Sequence, residues 1–321
     1  MIDAPSTMLR MVPLPRPAGE EPVRLWEGPG VSETGGADTA ANAAMRRYWN
    51  EVAGPRWVQR AAAQEARNIE VATALLKAAA AQPGERVLDV GCGTGATLLP
   101  FAEAVGPGGH ATGVDISEPM LSVARRRVAE RGLNNVTLLL ADAQVHAFAP
   151  ASADLLTSRF GVMFFADHTA AFRNLRKALR PQGRLCMAVW APMGENTHMR
   201  VPFEIAARHV GPPAPTPPHA PGPLALSDQG YLNGVLTCAG YADVAIAPTA
   251  FHLVGVSADS VAEQAGAMGP SGRLLDEKGA DEATRQAVIA EARAAFAAYG
   301  TANGDVRLPG MFFLVTARNP G

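Results

Sequence analysis

The stretch from residue 87 to residue 101 reads VLDVGCGTGATLLPF. An apolar segment ends at Asp89 and Val90, three glycines follow at Gly91, Gly93 and Gly95, and a second apolar segment begins. The first segment is typical of a buried strand and the second of a helix. Glycines at such a junction let the backbone turn sharply and approach a ligand. The stretch therefore predicts a nucleotide site between a strand and a helix.

Strand and helix patterns alternate after this stretch. Four further apolar segments have the length of buried strands: HATGVDIS, NVTLLLADA, SADLLTSRFG and GRLCMAVW. Helical segments lie between most of them, and Ser117 is placed to cap the helix EPMLSVARRRVAERG. This alternation predicts an α/β fold with a doubly wound, mostly parallel sheet and helices on both faces. Two later segments, ADVAIAPTAFHLVGV and VRLPGMFFLVTARNP, also have the composition of strands.

The patterning divides the chain into three regions. Residues 1–39 are rich in proline, glycine and charge without periodicity, which predicts a loosely ordered extension. Residues 40–82 have a helical pattern, with an expected break at Gly54-Pro55, and we interpret them as an N-terminal helical lid. Residues 83–321 form the main domain. Insertions at about 191–222 and 257–304 are expected to cap its substrate site.

Composition limits the partners and the compartment. The formal net charge is −2 and the basic run at 125–127 is short, so we expect no nucleic-acid partner. No long apolar run or leader pattern is present, so we also expect no membrane partner. Cys92, Cys186 and Cys238 are too far apart for a zinc site and predict reduced thiols in a cytoplasmic protein. The oligomeric state stays open.

Asp89 discriminates between two classes of nucleotide. The loop after it also fits the dinucleotide pattern G-x-G-x-x-A. A dinucleotide would place its pyrophosphate against this loop, where a carboxylate two residues before Gly91 would repel it. S-adenosylmethionine has no phosphate and offers an ammonium and a sulfonium, which a carboxylate attracts. The sequence therefore favours S-adenosylmethionine.

Acidic residues also end the next two predicted strands. Asp115 follows the second strand and is placed to accept hydrogen bonds from both ribose hydroxyls, with Ile116 and Met120 on either side of the adenine. Asp142 and Ala143 follow the third strand, where a carboxylate and a backbone N–H can bind the adenine edge. Each acid taken singly also fits a solvated strand end or a helix cap.

Four motifs resemble those of class I, seven-stranded S-adenosylmethionine-dependent methyltransferases: VLDVGCGTG, GVDISEPML, LLADAQ and LRPQGRL. The nearest type contains the ubiquinone and menaquinone C-methyltransferases and related small-molecule enzymes. The resemblance implies a seven-stranded sheet with an antiparallel final strand, and S-adenosylhomocysteine as the product. The expected cofactor-binding residues lie in the glycine loop, at the ends of the next strands, and at one aromatic position of the lid. They are Asp89, Gly91, Cys92, Gly93, Gly95, Asp115, Ile116, Met120, Asp142, Ala143, Arg159 and Trp57.

The catalytic residue is left unknown, and two histidines are weak candidates for a general base. His168 follows Asp167 at an expected helix start, where a role in capping is the alternative. His198 lies after the fifth strand on the substrate side. The segment SRFGVMFFADH is mostly apolar, which fits either a hydrophobic acceptor or packing into the core. It contains no carboxylate cluster, so no metal site is predicted.

The expected function is transfer of a methyl group from S-adenosylmethionine to a small, hydrophobic acceptor. Methyl transfer is an in-line displacement, so positioning and exclusion of water can supply much of the catalysis. The acceptor atom, whether carbon, oxygen or nitrogen, is not predicted. Two alternatives remain open: a non-catalytic or reassigned S-adenosylmethionine-binding protein, and an NAD(P)-dependent oxidoreductase.

Overall fold

One seven-stranded sheet organises the structure, a computed structural model that describes residues 42–321. Its strands are β1 (Arg86–Val90), β2 (His110–Asp115), β3 (Val136–Leu140), β4 (Ala153–Arg159), β5 (Leu179–Trp190), β6 (Ala242–Val256) and β7 (Val306–Arg318). The predicted extension, residues 1–39, and the first two residues of the predicted lid lie outside the described residues.

The strand order is β3-β2-β1-β4-β5-β7-β6. The first five strands are parallel to one another, and β7 is antiparallel to both β5 and β6. The order reverses between β1 and β4, where the two halves of a doubly wound sheet part and ligands usually bind. The predicted fold class, a mostly parallel seven-stranded sheet with an antiparallel final strand, is confirmed.

Helices cover both faces of the sheet. They are α1 (Ala43–Arg47), α2 (Ala53–Gln59), α3 (Ala61–Arg67), α4 (Ile69–Ala79), α5 (Leu98–Val105), α6 (Glu118–Glu130), α7 (His168–Ala178), α8 (Thr197–Val210), α9 (Gln229–Cys238), α10 (Ala258–Ala267), α11 (Gly269–Glu277) and α12 (Glu282–Ala297). Leu75 of α4 and Phe101 of α5 pack with Val87 and Leu155 on one face. Phe172 of α7 packs on the other face.

The predicted break at Gly54-Pro55 is wrong. Both residues lie inside α2, and the helical path instead changes at a π-helical turn, Tyr48–Val52, and again at Arg60 and Asn68. Pro55 is tolerated because it occupies the first turn of α2, where no backbone N–H has an intrahelical acceptor.

Four helices from the two predicted insertions pack together. Helix α8 belongs to the first insertion, and it contacts α10, α11 and α12 of the second. The proline-rich segment at 211–223 that follows α8 contains no helix or strand, as its composition predicts. No helix of residues 42–321 is long and apolar enough to cross a membrane.

Candidate cofactor and acceptor site

A cavity of about 350 Å³ opens at the carboxyl ends of β1, β2 and β4, where the strand order reverses. Three parts of the chain line it. The sheet edge supplies Gly91, Asp115, Ile116, Met120, Asp142, Ala143, Arg159 and Phe160. The lid helices, a name we use for α1–α3 with their π-helical turn, supply Tyr48, Trp49, Trp57, Gln64 and Arg67. The cap helices, α8 and α10–α12, supply His198, Met199, Gln264 and Met268.

The glycine turn is specified by backbone angles and by a close approach between two loops. Gly91, Gly93 and Gly95 have φ angles of +67°, +56° and +86°, which other residues rarely adopt. A Cβ atom on Gly91 would lie 2.6 Å from the Cα atom of Gly161, in the loop after β4. Of the three glycines, Gly91 lines the cavity. Gly161 was missed at the sequence level, because its contact joins segments about 70 residues apart.

Asp89 is fully buried and does not line the cavity. Its Oδ2 accepts a hydrogen bond of 2.8 Å from the Thr97 hydroxyl, and its Oδ1 has no hydrogen-bond partner among the described residues. Burial raises the pKa of this carboxyl to about 7, although the Thr97 hydroxyl and the Arg159 guanidinium favour the ionised form. An acid held this close to its ionisation point responds strongly to a nearby cation.

Asp115 lines the cavity and is held by two backbone groups. Its Oδ2 accepts from the Gly93 N–H at 2.8 Å, and its Oδ1 accepts from the Ser117 N–H at 2.9 Å. Each carboxylate oxygen has further lone pairs with which to accept a ligand hydroxyl. Burial raises the pKa of Asp115 above its usual value, against the opposing effect of the backbone N–H groups. The glycine turn and the second strand thus orient this carboxylate together.

The start of α6 is joined to the lid helices. Ser117 occupies the predicted N-cap position, but its side chain does not cap α6; its hydroxyl donates to the Trp49 carbonyl at 2.8 Å. Asn50 takes over the capping role from outside the helix, because its Oδ1 accepts from the Glu118 N–H at 3.0 Å. The Asn50 amide also donates to the Ile116 carbonyl at 2.9 Å. The lid helices are therefore hydrogen-bonded directly to the segment that joins β2 to α6.

Asp142 and Ala143 lie at the cavity beyond β3. Both are buried, and Asp142 Oδ1 accepts from the Gln144 N–H at 3.0 Å. Ile116 and Met120 line the same region from the second strand end and from α6. The structure thus brings these four predicted residues together with Asp115.

Aromatic rings form a second wall. Trp49 contacts Tyr48, Trp57 and Phe164 edge-on, with ring centroids 5.8, 6.3 and 5.1 Å apart. Trp57 lines the cavity, as does Arg159 at the end of β4. The aromatic residues of the lid therefore pack on one another and line the cavity.

Phe160 connects the end of β4 to the end of β5. Its ring stacks on Trp190 with centroids 3.9 Å apart, and its backbone has a φ of +66°. A bulky residue in this conformation costs about 1 kcal/mol or more, and such strain is common at functional sites. Both rings line the cavity, so the strained turn presents a flat apolar surface to a ligand.

Besides Asp89, three predicted cofactor-binding residues and one candidate histidine do not line the cavity. Cys92 packs in a small apolar cluster around Leu98 and Leu121. Gly93 and Gly95 shape the turn behind Gly91, and neither lines the cavity. His168 is buried at the start of α7, where its Nδ1 lies 3.1 Å from the Tyr231 hydroxyl. The neighbouring Asp167 caps that helix through the Ala170 N–H.

His198 lines the cavity beside aromatic rings. Its ring lies 5.3 Å from that of Trp190 and 6.2 Å from that of Phe251. The Nδ1 atom has no hydrogen-bond partner within the described part of the chain. Burial, assisted by the positive charge of Arg67, lowers the pKa of His198 to about 3. The imidazole is therefore neutral at physiological pH and a weak base.

Two polar side chains at the cavity were missed at the sequence level. Arg67 is 5% exposed, and its Nε and Nη2 atoms have no hydrogen-bond partner among residues 42–321. Burial, with a smaller contribution from Arg60, lowers the pKa of Arg67 to about 10. Gln264 is 9% exposed, and its Oε1 is likewise without a partner. For Arg67, the available signal was its spacing of three residues from Gln64 on an alanine-rich helix, which places both polar side chains on the same face.

Part of the chain is similar to a known protein family. Residues 87–183 match the methyltransferase domain family. This stretch carries the glycine turn and the first strand ends, and the match confirms the resemblance of these motifs to those of methyltransferases.

Two curated relatives extend this finding. Nocamycin O-methyltransferase from Saccharothrix syringae is 44% identical over 115 residues, which is 36% of this chain and 41% of that protein. Demethylmenaquinone methyltransferase from Listeria monocytogenes is 41% identical over 104 residues, which is 32% of this chain and 44% of that protein. The chain thus spans less than half the length of the curated relatives it matches.

A solved structure shares the fold. The YcgJ protein from Bacillus subtilis has a TM-score of 0.51 and 20% identity, over 78% of this chain and 98% of that chain. This similarity supports the fold assignment for the sheet and its surrounding helices.

Proposed function

We propose that this protein transfers the methyl group of S-adenosylmethionine to a small, largely apolar acceptor. The observation that carries the proposal is the convergence of three strand ends on one cavity. Asp89 lies behind the glycine turn, Asp115 lines the cavity after β2, and Asp142 lines it after β3. A cationic nucleoside with two ribose hydroxyls and an adenine edge matches this succession of acids.

In this proposal, Asp115 accepts both ribose hydroxyls. The Gly93 and Ser117 N–H groups orient its carboxylate, so little reorganisation is needed when the ligand binds. Asp142 and the Ala143 N–H bind the adenine edge, and Ile116 and Met120 pack against the base. Gly91 lets the backbone approach the methionine portion of the cofactor.

Asp89 and Arg159 serve the charged methionine end of the cofactor. Asp89 acts on the ammonium through Oδ1, a buried acceptor without a hydrogen-bond partner among residues 42–321. Arg159 lines the cavity at the end of β4, and its charge interacts with that of Asp89. A zwitterion with one positive and one negative group complements this pair of residues.

The remaining space would hold the acceptor. It is bounded by the Phe160–Trp190 stack, by the lid helices and by the cap helices. A cavity of about 350 Å³ surrounded by helices on two sides admits a small molecule far more readily than a folded nucleic acid. Both curated relatives named above are named for small-molecule methylation, which supports the same class of acceptor.

Catalysis would come from positioning and from exclusion of water. Bound S-adenosylmethionine supplies a methyl group activated by the sulfonium. The aromatic walls hold the acceptor in line with that methyl group, and the lid and cap helices keep the site apolar. His198 has a pKa of about 3, so it would orient an acceptor through Nδ1 rather than remove its proton.

The free cysteines support a cytoplasmic location. Cys92 and Cys186 are buried and Cys238 is exposed, and none of the three forms a disulfide. We propose that the protein works in a reducing compartment, where an exposed thiol persists.

Calorimetric titration tests the cofactor assignment. S-adenosylmethionine and S-adenosylhomocysteine should bind with one site per chain, and NADH should not bind at the same protein concentration. NADH binding without binding of either sulfur nucleoside would refute the proposal in favour of an oxidoreductase. Cofactor binding without release of S-adenosylhomocysteine, over a panel of aromatic acids, phenols and quinols, would indicate the non-catalytic alternative.

A further inference from the structure

Arg67 is a buried cation without a carboxylate counter-ion among residues 42–321. It is 5% exposed, it lines the cavity, and its Nε and Nη2 atoms have no hydrogen-bond partner among the described residues. Burying a charge without a partner is strongly unfavourable, and proteins usually avoid it by pairing or by hydration. A side chain kept in this state points to a partner that arrives from outside the protein.

The carboxylates of Glu65 and Glu70 interact with groups other than Arg67. Glu65, on the same helix, pairs with Arg127 and accepts from the Thr94 hydroxyl. Glu70, at the start of α4, accepts from the backbone N–H of His252 at 2.9 Å. The positive charge of Arg60 also acts on Arg67 and adds to the unfavourable effect of burial.

The two partnerless nitrogens define the geometry of the missing partner. Nε and Nη2 share one edge of the planar guanidinium, and their N–H bonds on that edge are parallel. Two parallel donors match the two oxygens of a carboxylate, which accepts them in a bidentate pair. A single hydroxyl or carbonyl oxygen would leave one of the two nitrogens without a partner.

The residues that line the cavity near Arg67 indicate the chemistry of the rest of the ligand. His198, on which Arg67 exerts its charge, lies beside the rings of Trp190 and Phe251. Gln264 offers a buried Oε1 acceptor at the same cavity. An anion alone would leave these aromatic surfaces uncovered, so the ligand has an apolar body as well as an acidic group.

We propose that the methyl acceptor is an apolar small molecule that carries a carboxylate, and that Arg67 binds this carboxylate through its Nε–Nη2 edge. The proposal rests on the proposed methyltransferase function and specifies its acceptor class. Arg67 thereby becomes a specificity-determining residue, because it selects an acid over neutral analogues of the same shape. Its charge also helps to keep His198 neutral, so the imidazole does not compete with Arg67 for the anion.

The test uses two isosteric probes and the full chain saturated with S-adenosylhomocysteine. 2-Naphthoate carries the carboxylate, and 2-naphthamide has the same shape without the charge. Calorimetric titration should give at least about tenfold tighter binding of 2-naphthoate, as expected for a bidentate charged pair. Arg67→Met should remove this preference by weakening 2-naphthoate binding about tenfold or more, while 2-naphthamide binding changes less than about twofold.

Two further measurements separate binding from folding. Arg126→Met removes a positive charge from the exposed face of α6, where Arg126 pairs with Glu130, and should leave both probe affinities unchanged. The melting temperature of ligand-free Arg67→Met should equal or exceed that of the wild type, because an uncompensated buried charge has been removed. A structural role for Arg67 would instead lower it.

Several outcomes overturn the inference. Equal affinity of the two probes, no binding of 2-naphthoate, or an unchanged preference in Arg67→Met would each do so. Loss of S-adenosylhomocysteine binding in Arg67→Met would assign Arg67 to the cofactor carboxylate instead. Failure of the wild-type protein to bind S-adenosylhomocysteine would refute the proposed function, and it is measured separately before any probe is added.

Discussion

Asp89→Asn provides the sharpest test of the glycine-turn site. The buried carboxyl has a pKa of about 7, so the ligand-free protein holds it about half protonated at neutral pH. An ammonium ligand binds the ionised form, and its affinity should therefore fall about tenfold for each pH unit below 7 and reach a plateau above it. The asparagine variant mimics the protonated acid and should lack this dependence.

Titration with S-adenosylhomocysteine between pH 5.5 and 7.5 measures the effect. At pH 7.5 the wild type should bind more tightly than Asp89→Asn, and at pH 5.5 the two proteins should agree within about twofold. Asp115 also has a raised pKa and its charge raises the pKa of Asp89, so the difference between the two proteins, rather than either slope alone, reports on Asp89. At pH 7.5, Asp89→Asn should weaken the binding of S-adenosylmethionine and of S-adenosylhomocysteine by similar factors, because Asp89 acts on the amino-acid end shared by both ligands.

The stability of the ligand-free protein should fall as the pH rises, whereas its affinity for the cofactor rises. Because folding raises the pKa of Asp89 from 3.8 to about 7, the folded state binds more protons than the unfolded chain in that interval. The contribution of Asp89 to the free energy of unfolding is fully present below pH 3.8 and is lost as the pH rises through 7. The loss amounts to up to about 4 kcal/mol. Asp89→Asn should be the more stable protein at pH 8. A parallel pH dependence of binding in the two proteins would refute this account.

Three further substitutions test the remainder of the site. Asp115→Ala should weaken S-adenosylhomocysteine binding by about 2–4 kcal/mol in calorimetry, because two hydroxyls lose a charged acceptor; an unchanged affinity would contradict the ribose assignment. Asn50→Ala should lower the free energy of unfolding in urea by about 1–2 kcal/mol, since the Glu118 N–H loses its cap. Gly161→Ala should lower it by about 1–3 kcal/mol, because its Cβ would lie 2.7 Å from Gly91 Cα; a neutral effect would show that the two loops can move apart.

Local patterns predicted the parallel sheet and its glycine turn. The strands β1, β2 and β4 are short apolar runs in the sequence, and strand periodicity together with buried length is enough to recognise them. The acid that ends β2 and the acid that follows β3 are equally local signals. For this reason Asp115, Ile116, Met120, Asp142 and Ala143 could all be placed at one sheet edge before the structure was known.

Features that depend on distant contacts could not be predicted in the same way. Arg67 became notable because α3 packs against β6 and leaves the guanidinium without a carboxylate among the described residues, which no local pattern encodes. The contact of Gly161 with Gly91 arises from the pairing of β4 with β1. The predicted break at Pro55 was wrong because proline in a first turn and proline in a helix interior look alike in sequence.

The hydrogen bonds between the lid helices and the start of α6 have a kinetic consequence. Asn50 contributes two of them and the Ser117 hydroxyl a third, all within 3.0 Å. If each contributes about 1 kcal/mol, opening the lid costs about 3 kcal/mol from these bonds alone. The open form would then make up about 1% of the population. Under the proposed function, a spent nucleoside that leaves only through the open form would be released about a hundredfold more slowly than from a permanently open lid.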